Sequence, residues 1–372
     1  MRDLIVFGED FGGLPSSTQH LIRHLSKQHK VLWVNSIGLR QPKLNLKDAT
    51  RALNKLIGRS NAQTQNMLPN QRFDNITVVN LKTIPAPRSS IARKLAKELM
   101  LTQLKPVIKQ LGMNNPVLWT SLPTAADLCG CLGESHVVYY CGDDFAALAG
   151  VDHQCVAQHE QDLVQKADVI FAVSDKLMNK FPHGKAHLLP HGVDFSLFST
   201  PSERALDLPS NHRPIAGFYG SLSQWLDYDL IERTALARSD WDFVFIGPNE
   251  LDELALPTMS NVFYLGPRAH HELPRYSQHW DVSWLPFVDN EQIRACSPLK
   301  LMEYLAAGTP VVSTPFPALK PYQEYVTTVH NAEQTSQALT HARQSRAVSP
   351  TIVEKESWKS RGEIVHSILE SL

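Results

Sequence analysis

The stretch Arg294–Thr314 constrains the fold most strongly, because it predicts a loop, a short helix and a buried strand in direct succession. Ser297 is a favourable N-cap, and Pro298 suits the first turn of a helix, where no N–H donor is needed. Leucines follow at helical spacing, and Gly308 can adopt the left-handed conformation that ends a helix. The pair Val311–Val312 is typical of a strand buried in a parallel sheet. The stretch therefore predicts a helix that leads into an α/β sheet.

The first turn of this predicted helix is suited to an anion. A helix N-terminus leaves several N–H groups without partners and carries about half a positive charge, so the turn Ser297–Leu299 suits a phosphate. A diphosphate carries roughly two negative charges, so a cation is also required, and Lys300 is the candidate. Glu303, one turn further on, could accept two hydrogen bonds from a vicinal diol, as acidic residues do with ribose. A capped helix with a solvated Lys–Glu pair is the alternative that the local pattern leaves open.

The beginning of the chain predicts a βαβ unit. The strand Leu4–Phe7 is followed by the glycine-containing loop Gly8–Ser17, a helix and the strand Val31–Asn35. Gly12 and Gly13 lack the spacing of the dinucleotide fingerprint, and we expect them to let a ligand approach the backbone closely. Further strands are predicted at Ile76–Leu81, Val117–Trp119, Val137–Tyr140 and Val169–Val173.

The same pattern returns in the second half. An apolar run and a glycine turn at 214–221 lead into a helix, and strands are predicted at Phe243–Ile246, Val262–Leu265, Val282–Leu285 and Val311–Ser313. A chain of 372 residues predicts about two domains. We therefore expect an α/β fold of two Rossmann-like, doubly wound parallel-sheet domains facing a cleft. The expected segments are the first domain 1–194, a linker 195–213 rich in Ser, Pro and charge, the second domain 214–352, and a C-terminal amphipathic helix 353–372.

The pattern Ser-Pro-x-Lys-x-x-Glu-Tyr-Leu-Ala-x-Gly-x-Pro-Val-Val at 297–312 resembles the donor-binding segment of GT-B glycosyltransferases. It resembles especially the family 4-like enzymes of bacterial exopolysaccharide and teichuronic-acid assembly. This resemblance implies that the Ser297–Leu299 backbone and Lys300 meet a nucleotide diphosphate, while Glu303 meets the ribose. It also implies that the turn at Gly220 and Ser221 meets the diphosphate. The C-terminal helix 353–372 is, by the same resemblance, expected to pack back on the first domain. The resembled fold usually needs no metal ion or other cofactor, since helix dipoles and basic side chains stabilise the leaving diphosphate.

The chain departs from the family pattern in two places. The commonest form of the motif has two glutamates eight positions apart, and the earlier position is Ala295 here. An Arg and a Lys that many members carry after the Gly220 turn are also missing. This shifts the electrostatic work to Lys300, with Arg294 and Arg268 as further candidates. The resemblance places Arg268 on a loop near the nucleobase, although a surface arginine is the alternative, and places the Gly12–Gly13 loop along the cleft as part of the donor site.

Two adjacent carboxylates follow the predicted strand Val137–Tyr140. Asp143 and Asp144 lie at its carboxyl end, the edge where ligands bind in open α/β sheets. Either could orient an acceptor hydroxyl or take its proton, and the resembled family has a similar segment at this place. Capping of the next helix is the alternative role.

Charge is unevenly distributed along the chain. Residues 40–109 contain 14 Lys and Arg and 3 acidic residues, a net charge of +11, whereas the rest of the chain carries −12. Leu44–Leu56 and Ile91–Ile108 can form helices with basic faces and apolar stripes, which favours an anionic membrane surface, with core-packed helices as the alternative. Nucleic acid is not expected, because no recognition motif accompanies the charge. No run of 18 apolar residues occurs, and the chain enters a strand directly, so we expect a cytoplasmic protein, peripheral on the inner face of the plasma membrane.

The five cysteines are expected to be reduced and unreactive. Cys129, Cys131 and Cys141 lie near His136, but Cys-x-Cys spacing differs from that of structural zinc sites. We expect no metal site among these residues.

The resemblance implies a glycosyltransferase that moves a sugar from a nucleotide diphosphate sugar, UDP favoured over GDP, to a hydroxyl of a glycan or polyprenyl-linked acceptor in cell-surface polysaccharide synthesis. The resemblance implies retention of the anomeric configuration. Two alternatives remain. A catalytically silent GT-B module is favoured by Ala295 and the missing Arg–Lys pair. A nucleotide-sugar 2-epimerase shares the fold, but its acid and base residues are not evident.

Overall fold

The computed structural model describes residues 2–13, 16–37, 75–85, 87–146, 152–297, 299–344 and 348–372. It divides into two compact units. The first contains Met1–Pro190 and Arg361–Leu372, and the second contains His191–Ser360. The predicted helix Leu44–Leu56 and Pro298 lie outside the described residues.

The first unit is built on a parallel sheet covered by helices. Its strands are β1 (Leu4–Phe7), β2 (Val31–Val34), β3 (Ile76–Val79), β4 (Val117–Thr120), β5 (His136–Cys141), β6 (Val169–Ala172) and β7 (Ala186–Leu188). Its helices are α1 (Ser17–Leu25), α2 (Ser90–Gln110), α3 (His153–Lys166), α4 (Asp175–Met178) and a 3₁₀ helix at Pro123–Leu128. The strand order is β3-β2-β1-β4-β5-β6-β7. Strands β1, β2 and β4 are buried at every residue, so both faces of the sheet centre are covered, as expected for parallel strands.

The second unit repeats this architecture with a smaller sheet. Its strands are β8 (Ile215–Tyr219), β9 (Asp242–Ile246), β10 (Val262–Gly266), β11 (Val282–Leu285), β12 (Val311–Ser313) and β13 (Val326–Thr328), in the order β10-β9-β8-β11-β12-β13. Its helices are α5 (Phe195–Ser199), α6 (Tyr228–Ala237), α7 (Pro274–Ser277), α8 (Glu291–Ala295), α9 (Leu299–Ala306) and α10 (Ala332–Gln344), with 3₁₀ helices at His270–Glu272, Pro317–Tyr322 and Pro350–Glu356. The last helix, α11 (Trp358–Ser371), begins in the second unit and belongs to the first from Arg361 onward.

Both sheets contain a topological switch point. Strand order reverses between β1 and β4 in the first sheet and between β8 and β11 in the second. All strand pairs at these points are parallel. In open α/β sheets, ligands bind in the crevice outside the carboxyl ends of the strands at such a point. Each unit therefore has one edge where a ligand site is expected.

Residues 195–213, expected to be a linker, are part of the second unit. Asp194 accepts a hydrogen bond from the N–H of Leu197 and begins helix α5. Phe198, Ala205 and Leu208 are then buried in the core of this unit. These apolar residues are separated by Ser, Pro and charged residues, so the composition resembles that of a linker although the segment packs.

No helix in the described part of the chain combines the length and the apolar character needed to cross a lipid bilayer.

Candidate active site

Helix α9 is the element that the sequence motif predicted, and its presence is confirmed. It begins at Leu299, after β11 and the short helix α8, and the chain then enters β12. Leu301 and Leu305 are fully buried, so the helix is held by its apolar stripe. Gly308 has a φ of +77°, the left-handed conformation predicted to end the helix. The N-terminus of α9 therefore lies on the switch-point edge of the second sheet.

Lys300 extends from the first turn of α9 across the turn that follows β8. A Cβ atom placed on Gly220 would lie 2.0 Å from Cε of Lys300, so a larger residue here would displace the Lys300 side chain from this position. Gly220 also has a φ of +143°, which side chains with a Cβ rarely adopt. Ser221 follows in the same turn, and its carbonyl oxygen accepts a hydrogen bond from Nε1 of Trp225 at 3.2 Å. The predicted residues Gly220, Ser221, Leu299 and Lys300 thus occupy one edge of the second sheet.

Lys300 carries its positive charge in a partly buried position. It forms no ion pair with any residue that the structure describes. Burial lowers the pKa of its ammonium group, and the charge of Glu303 partly opposes this effect. A cation that has already lost hydration water and has no close carboxylate partner is well suited to an incoming anion.

The two other predicted cations are held by carboxylates. Arg294 forms a bidentate pair with Asp289, at 2.7 and 2.8 Å, and a further contact of 3.1 Å with Glu291. Arg268 pairs with Asp207 and donates from Nε to the Tyr276 hydroxyl at 2.8 Å. Their charges are therefore already compensated, and neither joins Lys300 as an uncompensated cation.

Glu303 is buried, with 3% of its surface exposed, and its Oε1 lies 2.8 Å from Nε2 of His270. The predicted ribose contact thus depends on a carboxylate with one oxygen engaged by His270. Sequence reasoning missed His270 because the chain contains 16 histidines and this one stands 33 residues from its partner. The next motif residue, Tyr304, accepts a hydrogen bond from the N–H of Tyr219 at 3.0 Å and so ties α9 to the end of β8.

In the glycine loop after β1, the N–H groups of the two predicted site glycines are already hydrogen-bonded within the protein. The N–H of Gly12 donates to Oε1 of Gln19 at 3.0 Å, and the N–H of Gly13 donates to the carbonyl of Asp10 at 3.0 Å. The loop is therefore held in a defined shape by the Gln19 side chain of α1 and by its own backbone. A ligand contact through these two N–H groups would require these bonds to open.

The adjacent aspartates after β5 differ in their surroundings. Asp144 forms an ion pair with Lys180 and accepts a hydrogen bond from the N–H of Ala146 at 3.2 Å, whereas the N-cap of the next described helix is Asp152. Asp143 forms no ion pair within the described ranges. Its side chain remains accessible to solvent, yet its pKa is raised to about 6 because surrounding protein displaces water and Glu9 and Asp144 add negative charge.

Glu9 is a second acidic residue at this edge that sequence reasoning did not single out. It follows β1, and its pKa is raised mainly by burial, while a hydrogen bond of 2.9 Å from Ser16 opposes the shift. The parallel strand order β1-β4-β5 places the carboxyl ends of β1 and β5 on the same edge of the sheet, where the charge of Glu9 contributes to the raised pKa of Asp143. A signal was available, because Glu9 stands in the predicted glycine loop directly after the first strand.

Two parallel sheets with these strand orders and sites at their switch points define the GT-B fold of glycosyltransferases. Residues 213–344 match the family model described as Glycosyl transferases group 1. This match lies within the second unit, and the GT-B fold predicted from the motifs is confirmed.

Solved structures and one relative are similar to the chain. Anabaena HepE in complex with UDP and glucose has a TM-score of 0.67 at 13% identity, with all of both chains covered. Sucrose-phosphate synthase from Thermosynechococcus elongatus has a TM-score of 0.66 at 14% identity over 100% of this chain and 99% of that one. TuaH of Bacillus subtilis (strain 168), a candidate teichuronic acid biosynthesis glycosyltransferase, is 32% identical over 235 residues. That alignment spans 56% of this chain and 59% of TuaH, somewhat over half of each.

Proposed function

We propose that the protein transfers a sugar from a UDP-sugar to a hydroxyl of a glycan or polyprenyl-linked acceptor in cell-surface polysaccharide synthesis. The observation that carries this proposal is the position of Lys300 across the Gly220 turn, at the switch point of the second sheet and without an ion pair to any described residue. The UDP bound to HepE supports the choice of nucleotide, and the similarity to TuaH supports the choice of pathway class.

In the proposed donor site, the N–H groups of the first turn of α9 and the ammonium of Lys300 stabilise the departing UDP. The bond between the anomeric carbon and the diphosphate oxygen breaks, and the oxygen leaves with the electron pair. Two positive groups at that oxygen stabilise the developing charge, so this step calls for no metal ion. Glu303 binds the ribose hydroxyls through the carboxylate oxygen that is not paired with His270.

In the proposed acceptor site, Asp143 holds the attacking hydroxyl and takes its proton. A general base works best when its pKa lies near the working pH, and the raised pKa of Asp143, about 6, meets this condition. Glu9 contributes by keeping that pKa high. We further propose that the sugar is transferred with retention of configuration, as the motif resemblance implies, so the hydroxyl attacks the anomeric carbon on the face from which the diphosphate leaves. Because position 295 is an alanine, other groups position the sugar.

The proposal is tested with a panel of UDP- and GDP-sugars, using calorimetry for binding and released nucleotide for turnover. Glycan and polyprenyl-phosphate-linked acceptors are supplied in the turnover assay. We expect binding of a UDP-sugar and release of UDP that depends on an acceptor. Binding without turnover for every acceptor would favour the silent module, and interconversion of the sugar without transfer would favour the epimerase.

We also propose that helix α2 places the enzyme on the inner face of the plasma membrane, where lipid-linked acceptors are found. Ile91, Leu95 and Leu99 follow one another at helical spacing and are 80, 53 and 40% exposed. Exposed lysines lie on the same helix: Lys94, Lys105 and Lys109. Aliphatic side chains that can enter the headgroup region, together with basic residues, fit an anionic lipid surface.

This second proposal is tested by sedimentation with vesicles of anionic and of zwitterionic lipid. Replacing Ile91 and Leu95 by Ser should weaken binding to anionic vesicles by about tenfold or more, since two aliphatic side chains no longer enter the lipid. The matched control replaces Leu206 and Leu236, which are 96 and 73% exposed in the second unit. Equal losses in both variants, or no preference for anionic lipid, would contradict a role for α2.

A further inference from the structure

Three side chains with metal-binding atoms meet in the first unit, at the edge opposite to Glu9 and Asp143. His29 directly precedes Lys30 and strand β2, so it lies at the amino edge of the sheet. His366 and Glu370 stand four residues apart on α11, hence on one face of that helix. One ligating atom from each of the three residues lies within 4.8 Å of the other two.

The ring of His29 is held in the orientation that metal binding requires. Its Nδ1 lies 2.6 Å from the carbonyl oxygen of Arg2. Because a carbonyl can only accept, Nδ1 carries the hydrogen, and Nε2 of the neutral ring presents a lone pair. Metal-ligating histidines commonly donate their second N–H to a backbone carbonyl in this way, which fixes the tautomer and the ring. His29 is also 1% exposed, so the surrounding protein restricts its movement.

The distance between the two imidazoles fits a shared ion. Nε2 of His29 lies 3.2 Å from Nδ1 of His366. Two nitrogens bound tetrahedrally to zinc at about 2.05 Å are separated by roughly 3.3 Å. Glu370 is exposed on the last turn of α11, and its long side chain can adjust to bring a carboxylate oxygen to the usual bond length.

Helix α11 is fixed firmly enough to present these ligands. Val365 and Leu369, each next to one of the ligands, are 0 and 1% exposed. A Cβ atom on Gly362 would lie 2.3 Å from Cδ2 of His24, so the helix packs closely on α1. The ligands therefore come from two segments that already touch: His29 lies before β2, and His366 and Glu370 lie on α11.

We propose that His29, His366 and Glu370 form a binding site for a divalent transition-metal ion, with water in the remaining position. Two imidazoles and one carboxylate are ligands that zinc accepts, and they disfavour the all-oxygen ions magnesium and calcium. The site stands at the sheet edge away from Asp143, so its role is structural: the ion clamps α11 to the segment before β2.

The test uses full-length protein freed of metal by a chelator, with Zn²⁺ as the probe. Zinc affinity is measured by competition with a chromogenic chelator for wild type and for His366→Gln and Glu370→Gln. Both replaced residues reach solvent, so the variants are expected to fold, which circular dichroism checks. His183→Gln is the matched control, because His183 is an exposed histidine of the same unit. Hydrogen exchange of the α11 amides is recorded with and without zinc.

We expect a single tight equivalent of zinc in wild type and in His183→Gln, and affinity at least about tenfold weaker in the other two variants. Zinc should slow exchange in α11 of wild type and leave exchange unchanged in His366→Gln. Tight binding that survives both ligand replacements would place the ion elsewhere and overturn the proposal. Absence of tight binding in wild type would show that His29 and His366 form only a hydrogen bond, which also overturns it.

Discussion

Replacing Lys300 by Met tests the donor site most directly. The change removes the charge and keeps the length of the side chain, so the space above Gly220 stays filled. If the ammonium binds the diphosphate, UDP should bind more weakly while uridine, which has no phosphate, should bind as before.

The magnitude follows from the surroundings of Lys300. Two unit charges about 4 Å apart attract by roughly 4 kcal/mol at the effective dielectric of about 20 that suits such sites. Solvent and counterions reduce this value, and measured hydrogen bonds to charged groups contribute about 1.5–3 kcal/mol. We therefore expect UDP to bind about 10- to 150-fold more weakly to Lys300→Met.

Stability should change in the opposite direction. Burial lowers the pKa of Lys300, so folding disfavours its charged form. At neutral pH an apolar side chain avoids that cost, and Lys300→Met should melt at the same or a higher temperature than wild type. If the role of Lys300 were purely structural, Lys300→Met would lower the melting temperature and leave UDP affinity unchanged.

The assay is calorimetric titration with UDP and uridine at several salt concentrations. Arg294→Met is the control, because Arg294 is exposed and already paired with Asp289. Its effect on UDP affinity should stay within about threefold, as for most surface ion pairs. The reasoning is refuted if Lys300→Met binds UDP within about threefold of wild type, or if Arg294→Met loses as much affinity as Lys300→Met.

Two further predictions concern the carboxylates. Glu303→Ala should weaken binding of both UDP and uridine by about 1–3 kcal/mol, since both ligands contain the ribose; unchanged affinity in a folded variant would remove that role and leave only the pair with His270. The rate of sugar transfer by wild type should fall as pH drops below about 6, where Asp143 becomes protonated. Asp143→Asn should be slow at every pH, and Asp144→Asn should keep the wild-type pH profile. Folding raises the pKa of Asp143 from 3.8 to about 6, so the folded state favours the protonated form. The stability gained from this protonation is complete below pH 3.8 and is lost as pH rises through about 6. Asp143→Asn should therefore raise the melting temperature above pH 6 and have little effect near pH 4, and a flat difference across this range would contradict the assignment.

The residues that sequence located well are those whose roles depend on near neighbours. Helix α9 could be predicted because its apolar stripe and its terminating Gly308 lie within one short stretch. The approach of Lys300 to Gly220 joins residues far apart in the chain and depends on the order of strands, so it came from family resemblance. The pairing of Arg268 with Asp207 spans 61 residues, and no local pattern indicates it.

The same distinction holds for the strands. The central strands were predicted because they are continuous apolar runs buried on both faces. The edge strands β7 and β13 were missed. Each has three residues, and two of the three are exposed in both strands, so their sequences lack the apolar run on which the prediction depends. Hydrogen bonding to a neighbouring strand forms such edges more than their own side chains do.

The charges at the two switch points match the two halves of a transfer reaction. A departing diphosphate needs positive groups, and the second unit offers Lys300, which forms no ion pair with the residues that the structure describes. An attacking hydroxyl needs a base, and the first unit offers Asp143. Burial and the charge of Glu9 raise the pKa of Asp143 to about 6, near neutral pH. Asp144, next in sequence, is held by Lys180 and could not serve in the same way. A module that only binds a nucleotide would require the first of these arrangements and would have no use for a carboxyl group with a raised pKa. The presence of both Lys300 and Asp143 in these settings favours a transferase over the catalytically silent alternative.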